Sequence, residues 1–127
     1  MKTVLVIDDD PIIVRILTVA LEVEGYFVIS ASNGEDGLQA AVEEDPDIII
    51  LDIMMPLMDG LKMLEELRKT SDVPVIVMSA DGSHDKVERA RELGIECFVN
   101  KPFRTTVIVE ILDLIFSMED FSQLFDR

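Results

Sequence analysis

The sequence predicts an α/β fold, doubly wound around a five-stranded parallel sheet. Three observations predict it. Short apolar runs without alternation, such as Ile48-Ile49-Ile50-Leu51, read as strands buried on both faces. Such runs alternate with stretches of helical pattern, which calls for right-handed crossovers and helices on both faces of the sheet. Several runs end in polar residues, at the strand ends where an open α/β sheet places its ligand site.

The elements follow in order. Thr3 to Ile7 is strand 1, ending in Asp8-Asp9-Asp10-Pro11. Pro11 suits the first position of a helix, with Asp10 as its N-cap, and Gly25 stops that helix after Glu24. Strand 2 is Tyr26 to Ala31; Ser32-Asn33-Gly34 turns into helix 2, which Asp45-Pro46 ends. Strand 3, Asp47 to Leu51, runs straight into Asp52 and a loop with Pro56. Met58-Asp59-Gly60 opens helix 3, Leu61 to about Lys69. Strand 4 is Val73 to Ser79, with Pro74 at its tolerant start. Helix 4 spans Ser83 to Leu93 and Gly94 closes it; strand 5 is Glu96 to Asn100. Lys101-Pro102 leads to helix 5, Arg104 to Met118. The domain is therefore 1–118, with 119–127 a tail or an extension of the last helix.

Composition narrows the function. The 127 residues suit one domain, and 49% apolar content suffices for a core. A formal charge of -15 makes direct nucleic-acid binding a poor expectation, because phosphate backbones need a basic patch. Cys97 is the only cysteine, so no internal disulfide is possible and a reducing compartment is expected. The N-terminus turns acidic too soon for a signal peptide, and no apolar run nears the roughly 20 residues of a membrane span. A cytoplasmic domain without membrane contact is the simplest expectation.

The strand ends carry the chemistry. Asp8 and Asp9, Asp52, Ser79 and Lys101 would meet in one crevice. Carboxylates this close disfavour their charged forms unless a cation intervenes. Mg²⁺ accepts one or two carboxylates plus waters and phosphate oxygens. Lys101 adds a fixed positive charge, so the crevice can hold a phosphoryl group over Asp52, and a carboxylate can be the nucleophile.

Four motifs in this order, Ile7-Asp8-Asp9-Asp10, Leu51-Asp52-Ile53-Met54-Met55-Pro56 with Met58-Asp59-Gly60, Val75 to Ala80, and Lys101-Pro102-Phe103, cover nearly the whole chain. They resemble the receiver domain of bacterial two-component response regulators. The resemblance implies a flavodoxin-like three-layer sandwich with sheet order 2-1-3-4-5. It implies Asp52 as phosphoacceptor, and Mg²⁺ (or Mn²⁺) held by Asp9, by Asp8 largely through water, by Asp52 and by the backbone carbonyl of Met54. Lys101 and Ser79 would contact the phosphoryl group, Phe98 would turn inward when Ser79 moves, and the Lys101–Pro102 bond would be cis. The implied partners are a sensor histidine kinase or histidine phosphotransfer protein, a downstream target or fused output domain, and a second copy through helix 4, strand 5 and helix 5. Such a domain is no enzyme beyond its own phosphorylation and slow dephosphorylation.

Other readings stay open beside this one. Phe98 also reads as a plain core aromatic, Asp10 as only a cap and Cys97 as a small buried hydrophobe. A Mg²⁺-dependent phosphohydrolase would want a second Asp where Met54 stands, and a flavin module would want a glycine-rich phosphate loop where Asp8-Asp9-Asp10 stands. Two departures from the family lie outside the site. Gly37 sits within helix 2 where alanine is usual, at about 1 kcal/mol of helix propensity, and Ile95 stands where a small residue is usual.

Two helices look too apolar for one core. On helix 5, Val107, Ile111, Leu114, Ile115 and Met118 form one stripe, and Val109, Leu112 and Phe116 a further one. The second stripe is expected either to be an exposed flank, covered or not by Phe121 and Leu124, or an interface. On the interface reading, Glu at Leu112 and Phe116 would leave the fold intact. Helix 1 shows a similar excess in Ile12, Ile13, Val14, Ile16, Leu17 and Val19, part of which resembles the family's docking surface for a phosphohistidine helix.

Overall fold

A computed structural model describes the backbone of residues 1–125 and the side chains of residues 1–120. The elements are β1 (Thr3–Ile7), α1 (Pro11–Val23), β2 (Phe27–Ala31), α2 (Gly34–Glu44), β3 (Ile48–Asp52), α3 (Gly60–Arg68), β4 (Val75–Ser79), α4 (His84–Leu93), β5 (Cys97–Asn100) and α5 (Thr105–Phe125). All pairings are parallel and the strand order is β2-β1-β3-β4-β5. This is the doubly wound architecture that the apolar runs predict.

Local chemistry sets the helix starts. Asp10 accepts the Ile12 N–H at 2.9 Å, Asn33 the Asp36 N–H at 2.8 Å and Asp59 the Lys62 N–H at 2.9 Å. Each carboxylate or amide satisfies an N–H that the helix itself leaves orphaned. Four strands begin later than predicted, β2 at Phe27, β3 at Ile48, β4 at Val75 and β5 at Cys97. Tyr26 instead serves α5: its hydroxyl donates to Asp113 at 2.8 Å and its ring lies 5.9 Å from Phe116. Pro74 has no N–H to offer the ladder, although its carbonyl accepts from Ile49 at 2.9 Å.

The period of two along each strand divides the core. Val4, Val6, Ile48, Ile50, Ile76 and Met78 face α1 and α5, with Leu17, Leu21, Ile108, Leu112 and Phe116 packed on them. Leu5, Ile7, Ile49, Leu51, Val75 and Val77 face α2, α3 and α4, with Met63, Leu64, Leu67 and Ala90 opposite. Every residue of β3 is buried, as expected of a strand covered on both faces.

Gly37 has a structural cause. A Cβ there would stand 2.7 Å from Ile7 Cδ1 and 3.0 Å from both Ile7 Cγ1 and Cγ2. Helix α2 lies directly on the large Ile7 side chain, so the propensity lost at Gly37 is exchanged for close packing at the strand end that leads to Asp8.

The expectation for α5 is overturned. Leu112 is 0% and Phe116 6% exposed, and Ile108 is fully buried with them. Leu114 (61%) and Met118 (64%) are exposed instead, and Val107 is partly so. The stripe read as surplus is the core stripe, and most of the stripe read as core faces solvent. Both have helical spacing, so periodicity alone could not rank them; the aromatic contact of Phe116 with Tyr26 and the reach of Leu112 into the sheet decide it. Glu at Leu112 or Phe116 would bury an unpaired charge. Covering by Phe121 and Leu124 lies outside the described side chains.

Two stability measurements check this packing. Gly37→Ala should destabilise by about 1 kcal/mol, overpacking against Ile7 exceeding the gain in propensity, and should become neutral or favourable in an Ile7→Val background. Urea titration of the double-mutant cycle reads this; an equal effect in both backgrounds would refute the packing account. Leu112→Glu should cost at least about 3 kcal/mol, whereas Leu114→Glu should stay within about 0.5 kcal/mol of wild type.

Candidate functional site

The site forms where four strands end. The ladders pair Ile7 with Leu51, Asp52 with Met78 and Ser79 with Asn100. That register brings the residues after β1, at the end of β3, at the end of β4 and after β5 to one edge of the sheet. The Lys101 N–H donates to the Ser79 carbonyl at 2.8 Å, and the Asp8 N–H to the Ala31 carbonyl at 3.2 Å, so the chain stays tied to the sheet one residue past the strands.

Asp8 and Asp52 are 1% and 3% exposed, while Asp9 is open to solvent. Oxygens of all three carboxylates lie within 4.8 Å of one another. Lys101 Nζ joins two of them, donating to Asp8 Oδ2 at 2.7 Å and to Asp52 Oδ2 at 3.0 Å. The remaining oxygens are held by backbone. Asp8 Oδ1 accepts the Asp10 N–H and Asp52 Oδ1 the Met54 N–H, both at 2.9 Å. No buried side-chain polar atom among the described residues lacks a partner.

Three carboxylates against one ammonium leave the cluster short of positive charge. Burial pushes the Asp52 carboxyl above the usual range and the Asp8 charge adds to this; the Met54 N–H and Lys101 oppose it without cancelling it. Burial alone would lower the Lys101 ammonium, but its hydrogen bonds to Asp8 and Asp52 outweigh that and raise it. The ammonium is therefore a permanent charge at neutral pH. Hard carboxylate oxygens at this spacing, with an open side at Asp9, fit a divalent cation with oxygen ligands.

The other expected residues also lie at this edge. Ser79 is fully buried and its Oγ accepts the Asp81 N–H at 3.0 Å. Phe98 is half-buried against the α2–α3–α4 side of the core. Its Cε1 lies 3.9 Å from where a Gly82 Cβ would be, so the ring borders the loop that follows Ser79. The Lys101–Pro102 peptide is cis. Gly60 makes the Asp52 loop possible: a Cβ there would come within 2.5 Å of the Asp52 carbonyl oxygen, and its own N–H donates to the Ile53 carbonyl at 3.2 Å.

One pair was not foreseen. Lys86 of α4 reaches Asp81 at 3.1 Å and the Met54 sulfur at 2.9 Å, bridging the loops after β4 and β3 beside the site. Nothing local in the sequence marks Lys86, because the bridge depends on how α4 is placed over β3. His84, read as surface decoration, begins α4 and is exposed.

Beside the site lies an apolar pocket of about 270 Å³ lined by Ile13, Ile16, Leu17, Pro102 and Phe103. Ile12, Ile16, Val19 and Val23 of α1 are exposed around it and beyond, so part of the apolar excess of α1 does open beside the site. Among the described residues no helix is long and apolar enough to cross a membrane.

Known proteins share this arrangement. A family model described as the response regulator receiver domain matches residues 4–113. Transcriptional regulatory protein KdpE of Mycobacterium tuberculosis is 49% identical over 104 residues, covering 81% of this chain and 46% of that protein. A probable transcriptional regulator, ycf27, of Guillardia theta is 46% identical over 102 residues, covering 80% of this chain and 40% of that protein. The chain thus spans less than half the length of these relatives. Among solved structures, the receiver domain of Francisella response regulator 1452 superposes with a TM-score of 0.87 at 28% identity, covering 94% of this chain and 99% of that one. A CheY-like receiver domain from Methanospirillum hungatei, at 24% identity, shares the fold with a TM-score of 0.92, covering 96% and 98%. With the fold, the strand-end cluster and the family match in agreement, this chain belongs to the response regulator receiver domains, regulatory domains of two-component signalling.

Proposed function

We propose that this domain is a phosphoacceptor switch in which Asp52 takes a phosphoryl group from a phosphohistidine. The observation that carries the reading is the convergence of Asp8, Asp9 and Lys101 on the Asp52 carboxylate at the open edge of the sheet. The donor would be a sensor histidine kinase or a histidine phosphotransfer protein, docking a helix on the exposed Ile12 and Ile16 side of α1 and the pocket at Phe103. The step forms a P–O bond to an Asp52 carboxylate oxygen and breaks the P–N bond, the electron pair leaving with the imidazole.

Asp8, Asp9, Asp52 and the backbone carbonyl of Met54 would hold a Mg²⁺ or Mn²⁺ ion. Once bound, that ion neutralises charge on the phosphoryl oxygens. The chain's own residues do the rest. The Met54 N–H orients Asp52, and Lys101 is placed to follow the charge from the carboxylate to the phosphoryl group. The Ser79 hydroxyl accepts from Asp81, so its proton remains available for a phosphoryl oxygen. Moving Ser79 toward that oxygen would release the Asp81 N–H and loosen the loop at Gly82, against which Phe98 rests. The aspartyl phosphate would thereby shift a two-state equilibrium on the face formed by α4, β5 and α5. A homodimer through that face, a downstream target or a fused output domain would read the change. Since the named relatives are transcriptional regulators more than twice as long, an output module in a longer chain is part of this reading. The acidic domain itself would not touch nucleic acid, and a cytoplasmic location without membrane contact goes with it.

Incubation with a small phosphodonor such as acetyl phosphate and Mg²⁺ should add one phosphoryl group, detected by intact mass and labile to hydroxylamine. Asp52→Asn or EDTA should reduce incorporation at least about 100-fold; undiminished labelling of Asp52→Asn would sink the assignment.

The metal-free site also has a pH signature. The folded-state pKa of Asp52 lies above its unfolded value, so its ionised form costs stability at neutral pH. That cost is absent below about pH 4, where the unfolded group is protonated too, and reaches its full size as pH rises through the folded value. In EDTA, Asp52→Asn should therefore raise Tm by a few degrees at pH 7 and by progressively less toward pH 4. Equal shifts at both pH values would contradict the electrostatic account.

A further inference from the structure

Helix α4 is held very differently at its two ends. At the C-terminal end the half-buried Arg68, the last residue of α3, reaches across to it. Its Nε donates to the Leu93 carbonyl at 3.1 Å and to the Gly94 carbonyl at 3.2 Å, and its Nη2 donates to the Gly94 carbonyl at 2.8 Å. Its Nη1 donates to the Ser71 carbonyl at 3.1 Å, so one planar guanidinium joins the ends of α3 and α4. The last carbonyls of a helix have no partner within it and carry the negative end of its dipole. A partly buried cationic fork is well matched to them.

Packing adds to this clamp. Ala90 is fully buried, and Leu93 and Ile95 pack on the α2–α3–α4 side of the core. The Glu96 N–H donates to the Val75 carbonyl at 2.9 Å, which ties the chain to β4 two residues past Gly94. Gly94 itself has φ +90°, where a residue with a side chain would be strained. The N-terminal half has little of this. Ser83 makes no side-chain cap bond, His84 and Asp85 are exposed, and among the described residues Val87 joins neither core cluster. What holds this half is Lys86, on Asp81 and the Met54 sulfur. The Lys86 and Asp81 side chains are 34% and 40% exposed, and ion pairs that open to water contribute little. Arg89 meets Glu65 of α3 at 3.3 Å in mid-helix, again between exposed groups.

We propose that α4 is a lever hinged at Gly94, with Arg68 fixing its C-terminal end to α3 and the Lys86 bridge latching its N-terminal half over the site. A shift of the whole helix would break the Arg68 hydrogen bonds and draw Leu93 and Ile95 out of the core. Lifting the first half breaks only the Lys86 bridge and the exposed contact at Arg89. Arg68 is thus a positioning residue that decides which end of α4 can open. The inference concerns the unmodified chain and does not depend on Asp52 chemistry, so it can fail while the phosphoacceptor reading stands, and the reverse. Under that reading, the α4 surface that changes would be the part around His84 to Glu88, with the Gly94 end fixed.

Site-resolved amide hydrogen exchange of the full chain, with no phosphodonor present, tests it. In the wild type, the amides of Glu92, Leu93 and Gly94 should be protected at least about tenfold more than those of Val87, Glu88 and Arg89. An isolated helix frays from both ends and would show no such asymmetry. Arg68→Met keeps the aliphatic stem and removes the fork. It should lower protection at Glu92 to Gly94 at least about tenfold, with β3 amides changed far less. Arg68→Lys keeps the charge without the fork and should recover little of that loss. Lys86→Met should act on the other end, lowering protection at Val87 to Arg89 about threefold and leaving Glu92 to Gly94 unchanged. Uniform protection along α4 in the wild type would overturn the proposal. So would an Arg68→Met effect as large in β3 as in α4, which would make Arg68 a general stabiliser. Full rescue by Arg68→Lys, or two variants that loosen both ends alike, would overturn it too.

Discussion

The Lys101 ammonium, held between the buried carboxylates of Asp8 and Asp52, is the interaction on which the rest of the structure turns. Two acids that are almost fully desolvated cannot sit side by side without a counter-charge, and removing one partner of a buried pair leaves an uncompensated charge. Yet the one ammonium does not balance three carboxylates. The cluster is poised rather than neutral: stable enough to fold, and still short of positive charge at the side where Asp9 meets solvent. A site that held its full complement of cationic side chains would have little to gain from a divalent ion or from anything the ion brings with it.

Much of the surrounding backbone is arranged to keep that cluster in place. The N–H groups of Asp10 and Met54 each hold one carboxylate oxygen, fixing both acids from the loop side while Lys101 fixes them from the other. Gly60 lets α3 begin against the Asp52 backbone, and the fit of α2 around Ile7 at Gly37 supports the strand that carries Asp8. A Cβ at Gly34 would come within 2.6 Å of the Met58 carbonyl, so the Asp52 loop also rests on the start of α2. These are packing constraints between neighbouring strand ends, and they make the site a property of the sheet edge rather than of any one loop.

The strand ends were legible in the sequence because strand period, apolar runs and the order of the motifs are local signals. In a parallel sheet those signals suffice to align Asp8, Asp52, Ser79 and Lys101. What was not legible depended on the placement of whole helices. Lys86 bridges Met54 and Asp81 only because α4 crosses above them. The complement between Gly37 and Ile7 joins residues 30 positions apart in sequence and looks like a flaw from either side alone. On α5 two apolar stripes have the same period, and the assignment failed because burial follows from the sheet and from Tyr26, neither of which is visible in the helix itself.

The packing of the last two helices also bears on which of them can move. Three large side chains, Ile108, Leu112 and Phe116, anchor α5 in the core, and Tyr26 and Lys2 secure the Phe116 ring from outside. Rotating this helix would unpack one face of the sheet. Helix α4 has only Ala90 fully buried, and its first turn is held by the Lys86 bridge and by the loop hydrogen-bonded to Ser79. Segments with few buried apolar contacts are the ones that open at low cost. A signal that began at Ser79, as proposed, would therefore have its easiest route through the β4–α4 loop and α4. The firmly packed α5 would hold its place on the sheet while α4 changes beside it.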